Sequence, residues 1–261
     1  MTGMDETRRT SFDQKAERYE ASRPSYPDAA IDFLVRRSGI RPGGRILEVG
    51  AGTGKATVQF ARRDFTVLAI EPGARMAALL RRKVTNYPKV SVVESTFEDC
   101  SVPDGSFDVV VAAQAFHWVK PEVRYEKSAA MLHSGGAFGW ITNEKQELEP
   151  ALRSEFDDAY SHWFPSAEFR EPYKSGVTLQ KPVQELEASG KFEPADIQTF
   201  PWMTPYTSQS YVDLLDTYSD HAVQPATVRE GLYAAITSTI DRRGGTIEIP
   251  YVTVVLCARR R

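Results

Sequence analysis

Glu48-Val49-Gly50-Ala51-Gly52-Thr53-Gly54 is the stretch on which the fold turns. It closes Arg45-Ile46-Leu47-Glu48-Val49, a short apolar run of the kind that forms a buried strand. It opens onto a helical pattern from Lys55 to Arg63, with Val58 and Ala61 expected on one face. Glycines at a strand-to-helix junction let the backbone turn tightly and approach a ligand with no Cβ in the way. Amides at the start of the next helix add partial positive charge.

Outward from this junction, strand and helix patterns alternate. Thr66–Ile70 reads as a second strand and Gly73–Val84 as a helix carrying Met76, Leu79, Leu80 and Val84. Val90–Val93 and the valine-dense Phe107–Ala113 give two more strands. Pro121–Leu132 is helical, ended by Gly135-Gly136, and Ala137–Thr142 is a fifth strand. The alternation implies parallel strands with right-handed helical crossovers. The rhythm changes after Asn143. Residues 144–186 are charged, aromatic and punctuated by proline, with a helix around Pro150–Trp163, and read as an insertion. Ile197–Trp202 returns to the sheet, two helices come next (Ser208–Tyr218 and Pro225–Arg243), and Thr246–Ala258 is a last strand apolar on both faces. Ahead of the first strand, Phe12–Tyr19 is helix-like, Arg23-Pro24-Ser25-Tyr26-Pro27 is extended, and Asp28–Ser38 is a helix stopped by Gly39.

The fold class expected is α/β, a Rossmann-like three-layer sandwich. Its seven-stranded sheet is mostly parallel with the last strand antiparallel, and it carries a helical cap insertion. The expected divisions are an N-terminal segment over 1–40, a core over 41–143 and 191–261, and the insertion over 144–190.

A chain of 261 residues, 41% apolar and 26% charged, has the make-up of an ordinary soluble globular protein. A formal net charge of −3 gives no field to draw it to nucleic acid or anionic membrane. Cys100 and Cys257 are too few for a disulfide framework and lack metal-ligand spacing. No apolar run is long enough to span a bilayer, and the N-terminus lacks a secretory signal. Partners expected are a small-molecule substrate, no nucleic acid and no membrane, with a monomer or homodimer in the cytoplasm and no metal.

The dinucleotide fingerprint would put its third glycine at position 55, where Lys55 stands. That disfavours a nicotinamide oxidoreductase. Glu71 comes directly after the second strand, 19 positions beyond Gly52. A carboxylate there can accept hydrogen bonds from both hydroxyls of a ribose. The plainer reading is a surface acid capping the helix after Pro72.

Together these residues resemble the class I S-adenosylmethionine-dependent methyltransferase family. Its first motif, an acidic residue then x-G-x-G-x-G, is matched by Glu48, Gly50, Gly52 and Gly54, and its second by Glu71. A third family segment resembles Thr96-Phe97-Glu98-Asp99-Cys100-Ser101-Val102-Pro103-Asp104-Gly105-Ser106-Phe107-Asp108, with Thr96 where many members carry Asp. Within the family the pattern is similar to small-molecule enzymes such as trans-aconitate methyltransferase. The carriers are Phe12, Tyr19, Arg23-Pro24-x-Tyr26-Pro27 and Gln114-Ala115-Phe116-His117-Trp118. The resemblance implies S-adenosylmethionine as cofactor, with S-adenosylhomocysteine as product. It implies cofactor contacts from Tyr19, Arg23, Gly50, Gly52, Gly54, Glu71, Pro72, Thr96, Phe97 and Gln114.

Tyr19 and Arg23 are candidates for the methionine carboxylate; Arg23 could instead pair with a surface acid. Tyr19 and Trp118 could face the sulfonium, or Trp118 could simply pack in the core. His117 is the catalytic candidate, as a base or as a hydrogen-bonding wall. His133, His162 and His221 read as structural. Tyr160, Trp163, Phe164, Phe169, Tyr173, Trp202 and Tyr206, with Arg153, Arg170 and Lys174, would shape an acceptor site or merely pack the insertion. Transfer to a small molecule is expected, oxygen (carboxylate or hydroxyl) ahead of nitrogen or carbon. A non-catalytic S-adenosylmethionine-binding regulator is the alternative.

Overall fold

Strands β1 (Arg45–Val49), β2 (Thr66–Ile70), β3 (Val90–Val93) and β4 (Phe107–Ala113) of the computed structural model lie parallel. Leu47 is level with Leu68 and Val110, and Leu68 with Ser91. The structure describes residues 13, 15–164 and 180–261. β5 (Leu132–Lys145) joins β4 in parallel, with Val111 beside Gly139. With β6 (Asp196–Thr207) and β7 (Thr246–Arg259), the sheet order is β3-β2-β1-β4-β5-β7-β6, and the last strand is antiparallel. The order reverses between β1 and β4, so the carboxyl ends of these two neighbours flank a switch point, where open α/β sheets bind ligands.

The described residues fall into two compact units. The first comprises those within 25–143, 178–200 and 253–261. Its core lies on both faces of the strands, as period-two alternation dictates. Leu47, Val49, Val110 and Ala112 face one cluster with Tyr125, Phe138 and Leu186. Ile46, Val67, Val109 and Val111 face the other with Ile31, Leu34, Phe60 and Leu80. Each Val, Leu, Ile or Phe among them contributes about 1.5–3 kcal/mol on burial. The covering helices are α2 (Asp28–Ser38), α3 (Lys55–Arg62), α4 (Ala74–Lys83), α5 (Pro121–Met131) and α7 (Gln180–Ala188). Gly39 ends α2 in a left-handed cap, φ 67°.

The second unit comprises the described residues within 1–24, 144–177 and 201–252. It holds α1 (Ala16–Ser22), α6 (Pro150–Trp163), α8 (Ser208–Asp216), α9 (Ser219–Ala222) and α10 (Ala226–Arg242). They pack around Phe156, Tyr211, Leu214, Leu232 and Ile236. Residues 201–252 thus group with the inserted segment, so the stretch 191–261 is shared between the units.

The fully buried residues of α3 are Ala56, Thr57, Gln59 and Phe60, while Val58 packs half-buried against the same core and Ala61 is half-buried. Hydrogen bonds offset the burial of the polar pair: Thr57 Oγ1 donates to Glu48, and Gln59 Nε2 to the Tyr26 carbonyl. Gly135-Gly136 does not terminate α5. The strand begins at Leu132 and runs through both glycines, with its register against β4 shifting between Phe107 and Val109. Among the described residues no helix is long and apolar enough to cross a membrane.

Candidate functional site

All three glycines of the first loop have left-handed backbones, φ 64°, 57° and 84° for Gly50, Gly52 and Gly54, yet they serve different ends. A Cβ on Gly50 would lie 2.5 Å from the Ala115 Cβ, and one on Gly54 would lie 2.2 Å from Leu80 Cδ1. Both glycines therefore let the protein close on itself. A Cβ on Gly52 would meet nothing nearer than Met76 Sδ at 3.9 Å. Of the three, Gly52 alone has room for a Cβ, at ordinary contact distance from Met76, so close packing does not demand glycine there and its left-handed backbone does.

Glu71 stands beside Gly52. Its Oε2 accepts the Gly52 amide at 2.7 Å, and its Oε1 accepts the Gly73 amide at 2.8 Å. The Ala51 amide bonds the Ile70 carbonyl at 2.9 Å, which stitches the loop to the end of β2. Glu71 is 7% exposed. A carboxylate has about four lone-pair sites across its two oxygens. The loop and the acid thus share one place at the carboxyl ends of β1 and β2, and these residues fit an adenosyl ribose.

The acid of the first motif lies beneath them. Glu48 is 1% exposed and accepts Thr57 Oγ1 at 2.5 Å. Burial pushes its pKa up to about 8, opposed by the Thr57 bond and reinforced by neighbouring Glu71. Pro72 is exposed and Thr96 half-buried, whereas Phe97 is buried in the core. The Thr96 hydroxyl bonds Asp99, donating to its carboxylate at 2.7 Å and accepting its amide at 3.1 Å. The segment is tied to Glu71 through the Ser95 amide and the Glu71 carbonyl, 3.3 Å.

After β4 the chain bends at Gln114 and makes a short 3-10 turn over Phe116–Trp118. Phe116 is fully buried, 4.7 Å from the Phe138 ring and 5.4 Å from Tyr125. Arg124 Nη2 donates to the Val119 carbonyl at 2.8 Å, while its Nη1 pairs with Glu185 at 2.9 Å. His117 is left at the surface, its ring 4.9 Å from half-buried Trp118. Desolvation by the surrounding protein, with the Arg124 charge, lowers its pKa to about 4.

Tyr19 and Arg23 come together in the other unit. Arg23 Nε donates to Thr217 Oγ1 at 2.8 Å and Nη2 to the Thr217 carbonyl at 3.2 Å. Its guanidinium lies 4.3 Å from the Tyr218 ring centroid and 5.3 Å from that of Tyr19. The nearby acid Asp216 is held by Lys15 and Arg18. Tyr160, Phe164 and Tyr206 are buried in this unit's core, with Trp163 and Trp202 against it, so these aromatics pack the unit. His221 is buried between the Tyr160 and Tyr233 hydroxyls, His133 pairs with Asp108, and Arg153 pairs with Asp157. Phe12, Phe169, Arg170, Tyr173 and Lys174 lie outside the described residues. Among the described residues no group of three or more His, Cys, Asp or Glu is placed to hold a metal ion.

Sequence reasoning missed Ala115, whose methyl fills the space Gly50 vacates, and the Thr142-Asn143 pair that takes the Gln114 amide. Small size at Ala115 and the hydroxyl of Thr142 were the available signals, the Asn143 contact being made by its backbone carbonyl. Neither carries meaning until β4 and β5 are side by side.

A methyltransferase-domain family model matches residues 47–139. An uncharacterized methyltransferase of Mycobacterium tuberculosis is 30% identical over 261 residues, covering 95% of this chain and 94% of that protein. Among solved structures, a candidate type II methyltransferase from Anaeromyxobacter dehalogenans superposes with a TM-score of 0.65 at 20% identity, over 91% of this chain and 97% of that one. The phosphoethanolamine N-methyltransferase 2 of Haemonchus contortus, solved with phosphomonomethylethanolamine and S-adenosylhomocysteine, has the same fold at a TM-score of 0.55 and 15% identity, over 95% of this chain and 57% of that one. With a relative matched almost end to end, and a glycine loop bonded to an acid at one sheet end, the chain belongs to the class I S-adenosylmethionine-dependent methyltransferases.

Proposed function

We propose that this enzyme transfers a methyl group to an oxygen of a small-molecule acceptor in the cytoplasm, a carboxylate before a hydroxyl. The choice rests on His117, which stands exposed beside Trp118 on the turn after β4, where desolvation and the Arg124 charge lower its pKa. A base so weak is poorly matched to removing a proton from an alcohol or ammonium near neutral pH. A carboxylate needs no proton removed, and a neutral imidazole can donate a hydrogen bond to it.

S-adenosylmethionine, when bound, supplies a methyl group already activated on a sulfonium. A carboxylate acceptor would need no proton removed by the chain, whereas a hydroxyl would. The chain's own work is positioning. In this reading Glu71 accepts the ribose hydroxyls and Gly52 lines the donor's place beside it, with Gly50 and Gly54 setting the loop's shape. Pro72, Thr96 and Phe97 flank the adenine, Phe97 from within the core. Tyr19 and Arg23 take the methionine carboxylate. Trp118 offers a ring face to the sulfonium.

The test is transfer of radiolabelled methyl across a panel of small carboxylates, phenols and amines. The expected label is base-labile and released as methanol, with a rate flat between about pH 6 and 8 as far as His117 is concerned. Label found only on amines would overturn the oxygen assignment. Tight S-adenosylhomocysteine binding with no transfer to any acceptor would favour a regulator.

A further inference from the structure

Gln114 has a left-handed backbone, φ 58°, a conformation non-glycine side chains resist. Three consecutive residues of β5 hold it there. Its amide nitrogen donates to the Ile141 carbonyl at 2.9 Å, its Oε1 accepts Thr142 Oγ1 at 2.8 Å, and its Nε2 donates to the Asn143 carbonyl at 2.9 Å. Asn143 is itself fixed: its Oδ1 accepts Thr253 Oγ1 at 2.6 Å from β7, and its Nδ2 donates to the Ser25 carbonyl at 3.0 Å. The brace therefore ends on a residue anchored from two further directions.

The bend at Gln114 directs the next four side chains. It sets Ala115 against Gly50, sends Phe116 into the core and leaves His117 and Trp118 on the outer side of the turn. The residue type fits this duty. Asn is the side chain most at ease in the left-handed region, but it is one methylene shorter. Gln has the reach to span from β4 to β5 with both ends of its amide.

We propose that Gln114 is a positioning residue rather than a cofactor ligand: its amide, bound to Thr142 and Asn143, holds the left-handed bend that aims His117 and Trp118 at the acceptor. The aim at an acceptor rests on the function proposed above; the brace itself does not.

Three variants test it: Gln114→Asn, which keeps the amide but loses reach; Thr142→Val, which removes the partner hydroxyl; and Thr142→Ser, which retains it. Hydrogen exchange of amides 115–119 and calorimetric titration with S-adenosylhomocysteine are read on each full-length protein. Gln114→Asn and Thr142→Val should each speed exchange of the turn about tenfold, be no worse when combined, and leave S-adenosylhomocysteine affinity within about twofold of wild type. Thr142→Ser should restore wild-type exchange. With an acceptor in hand, kcat should fall about tenfold with the KM for S-adenosylmethionine unchanged. A tenfold loss of S-adenosylhomocysteine affinity in Gln114→Asn but not in Thr142→Val would make Gln114 a ligand and overturn the proposal. Unchanged exchange in both variants would overturn it equally. If wild type binds no S-adenosylhomocysteine, the proposed function fails while the exchange result still judges the brace.

Discussion

Gly50 combines a left-handed φ of 64° with the absence of a Cβ where the Ala115 methyl sits, so two separate requirements fall on one residue. Gly50→Ala should meet both costs: about 1–2 kcal/mol for the backbone and about 1–3 kcal/mol for overpacking. Chemical denaturation should show the sum. Adding Ala115→Gly should return the packing part and leave the backbone part. A double variant no more stable than Gly50→Ala would mean that the Ala115 contact is not what demands glycine. The sequence showed that glycines were needed in this loop but could not divide their duties. The atoms that crowd Gly50 and Gly54 come from Ala115 and Leu80, distant along the chain.

Strand β1 and helix α3 are pinned by the bond from Thr57 to Glu48, and this pin titrates. Glu48 has a pKa near 8 when folded, chiefly from burial, against about 4.3 unfolded. Between these values the folded chain binds more protons than the unfolded one. Glu48 therefore favours the fold fully below about pH 4 and progressively less as pH rises to about 8. Glu48→Gln cannot lose a proton. Urea unfolding at pH 5, 6.5 and 8 should show its stability relative to wild type rising by at least about 1.4 kcal/mol across the range, one pH unit of linkage. A difference that stays constant with pH would refute the raised value. At this scale the strands were legible because β1, β2 and β4 are buried apolar runs between turn signals. The fully buried face of α3 was not, because Thr57 and Gln59 enter the core only by virtue of partners on β1 and at Tyr26. The start of β5 was hidden by Gly135-Gly136, which reads as a break but lies within the strand where its register shifts.

For the whole molecule, a sheet reversing its order between β1 and β4 places a loop, an acid and a turn at the carboxyl ends of neighbouring strands. This much was legible in the sequence, since the alternation of elements and the spacing from Gly52 to Glu71 already implied it. The grouping of residues 201–252 with the inserted segment was not, because it depends on packing around Phe156, Tyr211 and Ile236 rather than on any local pattern. The central claim is that the Gly52 loop and the Glu71 carboxylate hold the adenosyl sugar of the methyl donor. Titration of S-adenosylhomocysteine into wild type and Glu71→Ala by calorimetry tests it most directly. Losing two hydrogen bonds to a charged acceptor, at about 1.5 kcal/mol each, should weaken binding about 100-fold. Equal affinity in the two proteins would contradict the account.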